Sequence, residues 1–151
     1  MKRILILGIG NILMSDDGIG VYIVNHIAES GMELPAHVEL LDGGTAGLDL
    51  VPYLQGFDRI IIVDALKVDD KPGSVYRFPA ALSKTSSSRM SLHELGVAEI
   101  VRHLNLTGEN PEVEIVGIVP EDIATFDITI STSVLRSVPR VIDVIMESAR
   151  Q

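Results

Sequence analysis

Cysteine is absent from the 151 residues, which excludes disulfide staples, thiolate metal sites and thiol nucleophiles and suits a reducing compartment. Cations are also scarce: 12 Lys and Arg stand against 21 Asp and Glu, a formal net charge of -9. Neutralising a nucleic-acid backbone needs clustered Lys and Arg, so no nucleic-acid surface is expected. A metal ion or a basic partner surface remains compatible with that charge. Long apolar runs are missing. Lys2 and Arg3 precede only a short one, which Asn11, Asp16 and Asp17 interrupt, so neither a signal peptide nor a membrane span is predicted and the chain reads as cytoplasmic. Repeats and charge blocks are lacking too. The low-complexity patch Ser83-Lys84-Thr85-Ser86-Ser87-Ser88-Arg89 reads as a mobile surface loop.

What is present is enough for one core: at 46% hydrophobic residues the chain is predicted to form a single domain over 1–151. Its organising stretch starts with the uncharged aliphatic run Ile4-Leu5-Ile6-Leu7, which reads as a strand buried on both faces. Gly8 and Gly10 follow, then Ser15, Asp16 and Asp17 just ahead of Ile19, Ile23 and Ile27 at helical spacing. The pattern predicts a strand over 3–7, a glycine loop and a helix over about 17–30 that stops at Gly31. Further strands are expected at 38–41, 59–65 and 113–119, with a short antiparallel edge strand at 74–78 after the Lys71-Pro72-Gly73 turn. Thr45 is expected to cap a helix carrying Leu48, Val51 and Leu54, and a helix is expected over 91–103. The last helix, over about 131–149, is expected to kink at Pro139. Strands alternating with helices imply an α/β fold, a three-layer α/β/α sandwich around a mostly parallel sheet of about five strands.

In such sheets the working crevice lies outside the carboxyl ends of the strands. Gly8 to Asp17, Asp42 to Thr45, Asp64, and Pro120 to Asp122 each follow a strand. A dinucleotide site is disfavoured. Leu13 stands at the third fingerprint position, and two aspartates at the helix start would repel a pyrophosphate. A serine-hydrolase elbow is absent. Helix capping is the plain role for Asp16 and Asp17. Asp64 ends a buried Ile-Ile-Ile-Val run and so must be bonded, paired or ligated. Of the histidines, His26, His37 and His103 read as structural or surface residues, whereas His93 directly follows the Ser-rich stretch at the start of a helix. Asp17, Asp64 and His93 together would form a sulfur-free set with open coordination positions, suited to Zn, Ni, Mn or Fe. A shared-proton dyad of Asp42 or Asp17 with Asp64 stays open at this point.

The chain resembles the hydrogenase maturation endopeptidases. The likeness runs through Gly8-Ile9-Gly10-Asn11-Ile12-Leu13-Met14-Ser15-Asp16-Asp17-Gly18-Ile19-Gly20, Leu41-Asp42-Gly43-Gly44-Thr45-Ala46-Gly47, Ile62-Val63-Asp64-Ala65, His93-Glu94-Leu95-Gly96 and Val116-Gly117-Ile118-Val119-Pro120-Glu121. The resemblance implies an endopeptidase that removes the C-terminal extension of a nickel-iron hydrogenase large-subunit precursor after nickel insertion. It implies nickel supplied by the substrate and bound at Asp17, Asp64 and His93, donors that zinc or cadmium would also suit. Asp42 is implied as general base or positioning group beside the metal carboxylates Asp17 and Asp64, with Gly43, Gly44 and Thr45 facing the substrate. The expected partner is the precursor alone, with no membrane and with the protease a monomer by itself. A non-hydrolytic nickel-dependent binding module is the alternative.

Overall fold

A computed structural model describes residues 1–80 and 92–151, and for residues 92–95 the backbone only. The aliphatic run becomes β1 (Ile4–Ile9), buried along its whole length. It pairs in parallel with β2 (Val38–Gly44) on one side and β3 (Arg59–Ala65) on the other. β3 pairs in parallel with β5 (Glu112–Ile118), and β4 (Val75–Pro79) closes that edge antiparallel, giving the order β2-β1-β3-β5-β4. The expected α/β architecture and its antiparallel edge strand are therefore observed.

Alternation along the strands divides the interior in two. Ile4, Ile6, Ile61, Val63, Val116 and Ile118 face α1 (Ile19–Glu29) and α4 (Val138–Ala149), where Ile23, Ile27, Val141 and Ile145 cover them. Leu5, Leu7, Ile60, Ile62 and Ile115 face the opposite layer. There Leu50 and Leu54 of a 3₁₀ helix (Gly47–Leu54) and Val97, Ile100 and Leu104 of α2 (Leu92–Leu106) cover them. The Ser-rich patch lies outside the described residues.

Three local expectations are corrected. The segment after β2 is a 3₁₀ helix whose N-cap is Ala46, with no side-chain cap from Thr45; Pro52 lies inside it and has no N–H to donate to a continuous α-helical ladder. The final helix is two pieces, α3 (Thr132–Leu135) and α4, so Pro139 sits in the first turn of α4 rather than at a kink. A missing N–H is tolerated there because first-turn N–H groups have no helical partner. The first helix also starts later, since residues 15–18 form a separate 3₁₀ turn.

At the amino ends of the strands Arg59 is buried, bonded to Glu114 at 2.6 Å, Glu112 at 3.2 Å and the Ser148 hydroxyl at 2.8 Å. Arg77 also pairs with Glu114. This network ties β3, β5, β4 and α4 together at the edge away from the glycine loop.

At the other edge α1 lies directly on the sheet backbone. A Cβ on Gly20 would stand 2.0 Å from the Val63 carbonyl oxygen and 2.6 Å from that of Ile9. Gly20→Ala should therefore destabilise the domain by about 3 kcal/mol or more, because backbone has to shift. Gly31→Ala meets no atom within 4 Å and suffers only its positive φ of 78°, about 1–2 kcal/mol. Urea unfolding of both variants checks the order, and equal losses would contradict the close helix–sheet contact.

Candidate active site

The loop after β1 is compact because two of its residues are glycines at points of backbone contact. A Cβ on Gly10 would lie 2.1 Å from the Asp17 carbonyl oxygen, and one on Gly18 2.6 Å from Ile12 Cα. The Gly10 N–H donates to the Gly44 carbonyl at 3.0 Å, which joins this loop to the end of β2. Inside the fold-back, the half-buried Asp17 carboxylate accepts the Asn11 N–H at 3.0 Å.

Asp16 turns the other way and is wholly buried. Its Oδ1 accepts the Ser131 N–H at 2.7 Å, and its Oδ2 accepts the N–H groups of Glu121 at 2.9 Å and Asp122 at 3.1 Å and the Ser131 hydroxyl at 2.8 Å. The expected helix-cap role is thus corrected: neither the 3₁₀ turn nor α1 has a side-chain cap. The carboxylate instead latches the first loop to the segment after β5. Ser15 adopts a left-handed φ of 53° beside it, held by its N–H on the Asp127 carbonyl at 2.7 Å and its hydroxyl on the Thr125 carbonyl at 2.9 Å.

Asp64, the penultimate residue of β3, is buried on the α2 face and accepts the N–H of Ala65 at 2.8 Å. It lines a small cavity with Phe78 and Val97. The turn carrying Asp17 packs on β3, so both carboxylates stand at one edge of the sheet. Val97 also lines a neighbouring slot of about 130 Å³ with Ile9, Gly10, Gly44 and Thr45. Position 93 is in the first turn of α2, one turn ahead of Val97; the His93 side chain lies outside the described residues. Among the described residues, no three His, Asp or Glu side chains gather as a metal site.

Asp42 is placed differently. Val38 and Leu40 share the α1 face, and Asp42 continues their alternation, accepting Asn25 Nδ2 at 3.1 Å and the Gly44 N–H at 3.1 Å. It and Asp64 thus extend from opposite faces of strands separated by β1, which disfavours a shared-proton dyad. Gly43 is buried against Leu7, whereas Gly44 and Thr45 line the slot. His26 stacks on Tyr22 at 5.8 Å, and His103 Nδ1 lies 3.1 Å from the Glu99 carbonyl, as structural residues would.

A family model described as hydrogenase maturation protease matches residues 21–148. The chain belongs to the hydrogenase maturation protease family. The hydrogenase 2 maturation protease of Escherichia coli (strain K12) is 40% identical over 128 residues, spanning 80% of this chain and 75% of that protein. The hydrogenase expression/formation protein HupD of Rhodobacter capsulatus is 36% identical over 131 residues, 83% of this chain and 60% of its own length. The structure of the E. coli hydrogenase maturating endopeptidase HybD superposes with a TM-score of 0.87 at 34% identity, covering 98% of this chain and 92% of that one.

In this maturation protease the sequence pattern left the partners of Asp16 unidentified, because Glu121, Asp122 and Ser131 are more than 100 residues away (separations of 105, 106 and 115). Asp16→Asn replaces one acceptor oxygen with a donor facing donors and should cost about 2–4 kcal/mol, measurable by urea unfolding. A loss under about 0.5 kcal/mol would show that the latch contributes little.

The latched segment also has its own acid limit. The Thr125 side chain, then the N–H groups of Ala124 and Thr125, hold the Asp122 carboxyl below the ordinary aspartate value of 3.8. A depressed folded-state value stabilises the native state above the unfolded-state value, and that contribution is lost as pH falls through the lower folded one. Stabilities of the wild-type chain and Asp122→Ala should therefore converge on acidification below pH 3.8. A constant difference down to the acid limit would contradict this origin.

Proposed function

We propose that this chain is the endopeptidase that removes the C-terminal extension of a nickel-iron hydrogenase large-subunit precursor once nickel has been inserted, acting in the cytoplasm as a monomer. The observation that supports this reading is that the turn bearing Asp17 packs on β3, whose Asp64 lines a cavity with Val97 of α2, the helix that also carries His93. Two carboxylates and an imidazole without sulfur suit nickel, and equally zinc or cadmium, with positions left for ligands from a substrate.

The substrate's nickel supplies Lewis acidity toward the scissile carbonyl or a water. Asp17 and Asp64 orient the precursor through that ion and leave a metal-free precursor ungrasped, so recognition and quality control are one event. Asp17 is kept in place by the Asn11 N–H, and Asp64 by Ala65. Gly44 and Thr45 line the slot next to this point and accept a substrate side chain. Asp42, bonded to Asn25 and the Gly44 N–H, acts as the positioning group for that wall rather than as the base.

Asp64→Asn should abolish cleavage of nickel-loaded precursor, seen as loss of the shortened product by mass spectrometry, with an unchanged melting transition. Full activity in that variant would end the proposal, and an uncut precursor with wild-type protein would favour the non-hydrolytic module. Asp42→Ala should retain nickel-dependent docking and slow single-turnover cleavage by about tenfold; an unchanged rate would remove Asp42 from the site.

A further inference from the structure

Four large apolar side chains stand exposed beside the candidate centre: Ile12 at 52%, Leu13 at 44%, Phe126 at 76% and Ile128 at 75%. They belong to two segments that an isolated parallel bridge, Met14 with Asp127, holds side by side. The Asp127 N–H donates to the Leu13 carbonyl at 2.9 Å, the Ser15 N–H returns to the Asp127 carbonyl at 2.7 Å, and the Asp127 carboxylate accepts the Thr129 N–H at 2.9 Å. Scattered surface hydrophobes need no explanation, but a braced group next to a site does. A groove of about 350 Å³ continues from it along α1, lined by Ile12, Val21, Tyr22 and Ile128.

Charge decides what fits there. No Lys or Arg occurs from residue 4 to 58 or from 103 to 135, the stretches that build both bridged segments and α1. The acidic neighbours are Glu29 in the groove wall, Asp42 bonded to the groove residue Asn25, and Asp122 and Asp127 in the segment that bears Phe126. A second copy of this chain, with net charge -9, would set like charges against each other, and so would an anionic lipid surface.

We infer that Ile12, Leu13, Phe126 and Ile128 form the docking surface for the large-subunit precursor, which meets them with apolar side chains flanked by Lys or Arg. This rests on the function proposed above. The apolar group supplies affinity and the acidic rim speeds and orients encounter, while Asp17 and Asp64 read the nickel a short way along the same edge.

The test is steady-state cleavage of nickel-loaded precursor by the double variant Phe126→Asp/Ile128→Asp, with Leu106→Asp, a change at an exposed apolar residue of α2, as control. All proteins are first checked for an unchanged melting transition. The double variant should raise KM at least about tenfold, the loss of one or two apolar anchors, with kcat nearly unchanged. The control should behave as wild type, and wild-type KM should rise with salt. An unchanged KM in the double variant overturns the inference. So does a wild-type dimer, seen by sedimentation, that the double variant dissociates. If wild-type protein leaves the precursor intact, the peptidase reading falls separately, and calorimetric titration with the nickel-loaded precursor decides the surface: tenfold weaker binding by the double variant supports it, equal affinity overturns it.

Discussion

A carboxylate with no exposure survives at Asp16 because three backbone N–H groups and one hydroxyl converge on its two oxygens. Desolvation alone would make such a charge untenable. With the donors in place, the same group joins the loop after β1 to the segment after β5. Asp17 is positioned by the 3₁₀ turn that Asp16 anchors. The bridged segments with Leu13 and Phe126 are continuous with it, and so is the unusual Ser15 backbone.

The second constraint is steric. Gly20 lets α1 rest on the carbonyls of β1 and β3, so the loop between β1 and α1 is drawn tightly over the strand ends. That places Asp17 above the sheet edge at which Asp64 emerges. The two ends of the sheet then differ in chemistry. The amino end buries Arg59 with Glu114 and Ser148, and Glu112 reaches it from the surface. The carboxyl end next to α1 presents acids and apolar side chains without a cation in its building segments. A protein surface bearing Lys or Arg is electrostatically complementary to such an edge.

Much of the fold was legible in the residues. The continuous aliphatic runs of β1 and β3 mark doubly buried strands, and Ile19, Ile23 and Ile27 mark the inward stripe of α1. The short Val75–Pro79 strand was expected at an antiparallel edge and lies there. Local propensity failed where tertiary packing set the outcome. Thr45 is a good cap residue, yet the chain begins its 3₁₀ helix two residues later, after Ala46. Pro139 reads as a helix breaker in mid-run, yet a break at Arg136 and Ser137 puts it at a first turn, where it is favourable.

Which residue types gather at the strand ends is already encoded in the chain's order, because strand and helix periodicity fix where each element stops and hydrophobic burial fixes which faces turn inward. What each of those residues does depends on long-range packing. Asp16 and Asp17 are adjacent and chemically identical, and nothing local separates them. Their backbone directions in a 3₁₀ turn differ by about a third of a revolution, so one is sealed among donors brought from beyond residue 120 while the other stays at the half-open edge. Partners that distant in the chain are selected by the packing of the whole sheet, and no local pattern encodes them.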